Sequence, residues 1–312
     1  MTGLTTSPDG RDTGTQAYGI APPGYRLPAA TRLGAVRLQV ADLARSLEWY
    51  RRVLGLEPLD DGPLERSGRV ARLGAPGAVV PLVELHERPG AAPVSRRGRL
   101  GLYHYAILLP DRPALGRFLR HLSDIGERAG MSDHFVSEAL YLTDPDGLGI
   151  EVYADRPRGT WRHEDRQLTM TTIPLDVEAV LRAAGGEGWS GMPSDTVLGH
   201  VHLFVGDLER AAAFYHAALG LDKTVWSYPG ALFLSAGGYH HHLGINTWAT
   251  GAVPAGPDEA RLLEWEVVVP SFRDATEAIR SIAAAGGTVE PSADGGVARD
   301  PWGTAVRVRG AR

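Results

Sequence analysis

The chain of 312 residues contains no cysteine. Disulfides, thiolate metal sites and cysteine nucleophiles are therefore excluded, and any metal site is confined to His, Asp and Glu. That donor set favours iron, manganese or zinc. There is also no run of about 18 apolar residues, so no membrane-spanning helix is expected. An excess of basic residues is missing too: 32 Lys+Arg stand against 37 Asp+Glu, for a formal net charge of −5. Such a chain has no electrostatic footprint for nucleic acid. Met1 to Pro28 is rich in Gly, Thr, Pro and Ser without the apolar stretch of a signal peptide. It is expected to form a flexible lead-in over residues 1–30. These absences fit a cytoplasmic protein, and neither nucleic acid nor membrane is expected as a partner.

What is present is a repeat. Leu33–Leu56 and Leu198–Leu221 align without gaps and share LG, V, L, V, DL, R, Y and LGL. In each, an alternating strand (Val36, Leu38, Val40; Val201, Leu203, Val205) leads into a helix, with the Asp of the DL pair as its N-cap. Self-similarity of this length implies a repeated supersecondary unit. Weaker copies lie at Leu102–Gly126 and Leu263–Gly286. Short strand-like segments and turns follow each helix, among them Ser137–Thr143, the DPDG turn Asp144–Gly147, Ala231–Ser235 and Ala305–Val308. The pattern predicts an α+β protein of four βαβββ modules paired into two curved-sheet cavities. The modules span residues 31–98, 99–157, 196–256 and 257–312, with a linker at 158–195. One module alone leaves its sheet half-buried, so two must share a cavity.

Strand parity locates the chemistry. Five residues before the apolar residue that ends each first strand, an odd offset, the side chain faces the cavity. Ala35, His104, His200 and Glu264 occupy that place. On the last strands, Glu151 sits between Ile150 and Val152 and should point inward, while the first and fourth modules offer Glu84 and Arg307. Two imidazoles and a carboxylate, His104, His200 and Glu151, make the set that holds Fe(II) with positions left open. The same donors suit Mn(II) or Zn(II). His202 shares the face of His200, either as pocket lining or as an alternative ligand. Trp226, Trp248 and Trp265 are expected in core or pocket wall. His86, His121, His163 and His216 have no matching partners and are expected at the surface.

The repeat resembles the vicinal oxygen chelate superfamily, which includes glyoxalase I, fosfomycin-resistance and bleomycin-binding proteins and type I extradiol dioxygenases. LYHYAILLP followed by ALYLTDPDGLGIEVYADRP is similar to the final module of an extradiol dioxygenase, and LGHVHLFV with FLSAGGYHHHLGIN to the module before it. The resemblance spans residues 31 to 310, and as a whole chain it is nearest to the catechol 2,3-dioxygenases. It implies iron bound by His104, His200 and Glu151, substrate near Tyr141, a supporting His134, and acid–base chemistry at His241 with His242 as the runner-up. An imidazole titrating near neutrality suits that last role. The partners implied are a small aromatic diol and O2, and a homo-oligomer is compatible with the resemblance. In the commonest extradiol enzymes the third and fourth modules hold the metal. Here the fourth lacks both the His and the Glu, so module two is expected to pair with module three and module one with module four. Under the opposite pairing the fallback set is His200, His242 and Glu264. The alternatives are a glyoxalase-like isomerase or transferase, whose site prefers two His and two Glu, and a ligand-binding protein that needs no metal.

Overall fold

The computed structural model describes residues 18–59, 69–95 and 98–311. Each module opens on a long strand: Arg32–Val40, Gly101–Leu109, Val197–Phe204 and Arg261–Val269. The helices that follow are Leu43–Leu54, Arg112–Asp124, Leu208–Ala212 and Phe272–Ala284. Their starts are set by side chains. Asp42, Asp111, Asp207 and Ser271 each accept the backbone N–H three residues on, a cap worth about 1 kcal/mol apiece. The third helix changes its winding after Ala212 and continues as a π-helical stretch, Ala213–Ala218. That stretch buries His216, which the sequence placed at the surface. Burial is tolerated because its Nδ1 bonds the carbonyl of Leu221 at 2.7 Å.

The strands form two curved eight-stranded sheets in an α+β architecture. In the first, modules one and four meet where Arg32–Val40 runs antiparallel to Arg261–Val269, with Arg37 opposite Glu264. In the second, modules two and three meet where Gly101–Leu109 runs antiparallel to Val197–Phe204, with His202 opposite His104. Within every module the last strand lies parallel beside the first. One set of alternating residues, such as Val36, Leu38, Ile107, Val201 and Val267, packs beneath the helices in a core cluster that draws on all four modules. The other set faces the cavities.

A tyrosine shared by the repeats ties consecutive modules across the two sheets. Tyr50, on the first helix, reaches Asp144 of module two at 3.3 Å. Tyr215, on the third, donates to Asp300 of module four at 3.0 Å. Each aspartate opens a tight turn and also accepts two backbone N–H groups, from Asp146 and Leu148 or from Trp302 and Thr304. Tyr215→Phe removes one donor from a buried carboxylate. It is expected to lower unfolding free energy by about 1.5–3 kcal/mol, measured by urea denaturation.

The fourth module differs from expectation in one respect. Its sequence reads as a turn over VARDPWG, Val297–Gly303, but the first part of that stretch belongs to a strand, Gly295–Arg299, hairpinned on Thr288–Ser292. The segments outside the modules are also more engaged than a lead-in and a linker. Residues 1–17 of the expected lead-in lie outside the described residues. From Tyr18 onward the chain docks on module three: Ile20 bridges Lys223, and Leu27 is buried. The segment between modules two and three carries a small hairpin, His163–Glu164 with Gln167–Leu168, and the helix Val177–Ala183. Gln167 accepts the N–H groups of Trp226 and Ser227, which fastens this segment over the second sheet.

Candidate metal centre and cavity

The register of the second sheet builds the site. Across three neighbouring strands, Glu151 lies beside Ala106, and Ala106 lies opposite His200. Ala106 carries only a methyl group between them, so the longer side chains on either side lean together above it. His104, two residues away on the same face, completes the group. His104, Glu151 and His200 are all buried, and their donor atoms lie within 4.8 Å of one another. Glu151 Oε2 is 3.1 Å from His200 Nε2 and 3.0 Å from His104 Nε2. The His104 contact lacks hydrogen-bond geometry, which leaves that nitrogen a buried polar atom without a hydrogen-bond partner. Two imidazole nitrogens and a carboxylate oxygen aimed at one point fit a divalent cation.

Electrostatics agree with the geometry. Burial would raise the Glu151 pKa, but His200 and His104 outweigh it and hold the carboxyl well below its usual range. Burial lowers His200 to about 4, against the opposing pull of the Glu151 carboxylate. Filling the gap over the central methyl should spoil the site. Ala106→Leu is expected to lower the bound metal to below about a tenth of an equivalent by steric overpacking, while circular dichroism stays native.

The three donors lie on the wall of a cavity of about 210 Å³. Tyr103, Phe233, Tyr228, Trp248 and Met170 give it an apolar, largely aromatic lining, and no arginine or lysine lines it among the described residues. Tyr141 and His134 are both in the lining, 2.7 Å apart from hydroxyl to Nε2. His134 Nδ1 lies 2.7 Å from the Thr171 carbonyl, which can only accept, so Nε2 is the acceptor and the Tyr141 proton points at it. His202 also lines the cavity. The Asn246 amide donates to its Nε2 at 2.9 Å, so it is a wall residue held beside the donor group. Its ring lies flat on Gly244, where a Cβ would collide with it.

His241 lines the cavity with its ring 4.1 Å from that of His200. Burial pushes its pKa well below the usual imidazole value. At neutral pH its ring is therefore uncharged. His242 is a correction. Strand alternation turns it away from the cavity, and its Nδ1 accepts the N–H of Ala236 at 3.2 Å. The fallback set fails for the same reason, and Glu264 lies in the other sheet. Trp265 is a core residue, and Trp248 is a cavity wall.

In the first sheet the equivalent positions carry no imidazole. Ala35 stands where His200 does, Glu264 where His104 does, and Arg307, beside Glu266, where Glu151 does. Arg37 bonds Glu84 at 2.8 Å and Glu266 at 3.0 Å and also pairs with Glu264. Arg307 pairs with Glu264, and Arg309 with Glu266. Arg72 approaches Glu84 at 3.7 Å, so four guanidinium groups and three carboxylates interlock across that cavity floor.

The profile of the Glyoxalase/Bleomycin resistance protein/Dioxygenase superfamily matches residues 32–152 and 197–308. The chain belongs to that superfamily. Catechol-2,3-dioxygenase of Bacillus subtilis (strain 168) is 44% identical over 275 residues, 87% of this chain and 94% of that protein. Two solved structures share the fold of this superfamily member. One, provisionally described as a dioxygenase from Bacillus subtilis subsp. subtilis str. 168, has a TM-score of 0.61 at 16% identity, covering 92% of this chain and 86% of that one. Glyoxalase I from Zea mays has a TM-score of 0.52 at 16% identity, covering 90% and 92%. No helix among the described residues is long and apolar enough to cross a membrane.

Three features escaped sequence reasoning. Ala106 has no chemistry of its own, and only the strand register shows its place. Met170, Thr171 and Thr172 reach the cavity from the segment taken as a linker. Asp155, four residues beyond Glu151, holds His240. The alternation that singled out Glu151 also puts Tyr153 and Asp155 on its face, so that signal was available.

Proposed function

We propose that this protein is an extradiol ring-cleaving dioxygenase of the catechol 2,3-dioxygenase type, using Fe(II) held by His104, His200 and Glu151 to insert O2 into a catechol beside its vicinal diol. The observation that carries the reading is the convergence of two imidazole nitrogens and one carboxylate oxygen at the wall of an aromatic-lined cavity. The 44% identity to a catechol-2,3-dioxygenase supports the same chemistry. When bound, such an ion lowers the pKa of the diol hydroxyls and gathers both reactants at one centre.

The protein's own groups supply orientation and protons. Tyr103, Phe233 and Trp248 offer ring faces and edges to a flat substrate. His241, neutral at pH 7, is placed to accept a proton from the diol. Tyr141 is placed to hydrogen-bond a developing oxyanion by turning its proton from His134 Nε2 toward the substrate. With no arginine or lysine among the described lining residues to receive an ionised substituent, the cavity favours a neutral catechol over a carboxylated one. The glyoxalase alternative asks for a second carboxylate in module three. The position there that corresponds to Glu151 is Gly244, which lies beside His202 as Glu151 lies beside Ala106.

The test is metal content and oxygen uptake of anaerobically purified protein. Stoichiometric iron and equimolar O2 consumption with catechol, giving a yellow semialdehyde, are expected. Bound zinc with no oxygen uptake would move the protein to the glyoxalase class. Equal turnover of 3,4-dihydroxybenzoate and catechol would remove the preference for neutral substrates.

A further inference from the structure

We propose that Asp155 and His240 are positioning residues that fix which nitrogen of His241 carries its proton and which one meets the substrate. The proposal rests on the reading of His241 as the group that takes the substrate proton. The side chains form a continuous chain. Asp155 Oδ1 lies 2.9 Å from His240 Nε2, and His240 Nδ1 lies 2.6 Å from His241 Nδ1. Asp155 keeps a quarter of its side chain at the surface, whereas His240 is fully buried.

The chemistry of the chain has one consistent arrangement for neutral rings. An ionised carboxylate only accepts, so His240 must hold its proton on Nε2. Its Nδ1 is then a lone pair. Two ring nitrogens 2.6 Å apart need one hydrogen between them, so His241 donates from Nδ1. Its Nε2 is left as a lone pair, with no hydrogen bond to it among the described residues, and the ring lines the cavity. Packing holds the geometry: the Tyr239 ring lies 4.1 Å from that of His240, and Phe233 lies 4.9 Å from that of His241. Tyr239 also donates to Asp155 at 3.3 Å, and its hydroxyl is 2.6 Å from that of Tyr153. Gly199 makes room for the Tyr153 hydroxyl, which a Cβ there would strike. One strand, Gly149–Asp155, thus supplies both a metal donor and the anchor of the base. The arrangement parallels the way a buried aspartate sets the tautomer of a catalytic histidine in serine proteases.

Two variants test this in the iron-loaded enzyme. Asp155→Asn presents an amide that can donate to His240 Nε2, so the carboxylate no longer dictates the tautomer. His240→Phe removes the link. Both are expected to lower kcat for catechol by about 10- to 100-fold, the range for groups that orient another, with KM and iron content within about twofold of the parent. Asp155→Glu should restore much of the loss. A second readout does not need turnover: nitrogen NMR of histidine-labelled, Zn(II)-loaded protein should show His241 protonated on Nδ1 in the parent and shifted toward Nε2 in Asp155→Asn. It holds even if catechol is not the substrate, so failure of the proposed function and failure of the chain are told apart. Unchanged kcat in Asp155→Asn with iron retained, or a parent His241 protonated on Nε2, overturns the proposal. Should His240→Phe not fold, the isosteric Asp155→Asn decides alone.

Discussion

Replacing His200 by alanine, or Glu151 by glutamine, is expected to abolish stoichiometric iron binding and to reduce catechol cleavage by far more than 100-fold. The magnitude follows from position. Residues that merely orient a metal ligand cost about 10- to 100-fold when removed, and these side chains are two of the three donors that converge among the described residues. Glu151→Gln keeps the shape and one oxygen but loses the charge that balances a cation among buried imidazoles. His200→Ala loses a donor outright. The measurement is iron per chain by elemental analysis together with oxygen uptake. A variant that retains one equivalent of iron and parental turnover would mean that the ion, and the reaction, lie elsewhere. Because the second sheet is built from backbone register and core packing, both variants should still fold, with native circular dichroism.

The second large effect falls on stability and belongs to the other half. Arg37→Met should lower the unfolding free energy by about 3 kcal/mol, the low end for breaking a buried ion pair because Arg37 keeps nearly a quarter of its side chain at the surface. The cost arises from what is left behind: Glu84, Glu264 and Glu266 would lose the guanidinium that bridges all three, with Arg72, Arg307 and Arg309 left at their edges. Iron binding should be unaffected, since the two sites lie in different sheets. The pH dependence has a definite sign. Burial would raise the Glu84 pKa, but His86 and Arg37 bring it down to about 2 from 4.5. A depressed carboxylate contributes stability that is complete above about 4.5 and is lost as pH falls toward 2. Acid titration followed by circular dichroism should therefore show Arg37→Met unfolding at a higher pH than the parent, and an unchanged acid midpoint would contradict the network's role.

The sequence disclosed the architecture because its signals were local and repeated. A strand of alternating Val and Leu, a DL cap and an LGL stop each act over a few residues, and two close copies with two weaker ones reinforce one another. Parity then separated His104, His200 and Glu151 from their neighbours, because alternation is a property of any strand. Pairing order was legible only through chemistry: a charged, His-free fourth module left module two as the natural companion of module three. What remained hidden depended on register between distant strands. No property of Ala106 announces that it lies between Glu151 and His200, and no property of His241 foretells that burial will depress its pKa. The stretch around Met170 read as a connector because it lacks periodicity, yet its carbonyl at Thr171 fixes the direction of the Tyr141 proton. His242 was misjudged by a single residue, and one residue is a whole face on a strand.

The nested order of the sheets bears on how the polypeptide acquires its shape during synthesis. The inner pair is finished once the chain reaches Asn246, whereas the first strand, Arg32–Val40, must wait for Arg261–Val269 before it gains its antiparallel neighbour. Contacts of such long sequence separation form late and slowly. The half that carries the chemistry can therefore close early, leaving the first module exposed on the ribosome until the last is released. Its unsatisfied edge makes the N-terminal third of the protein the segment most in need of protection by a chaperone.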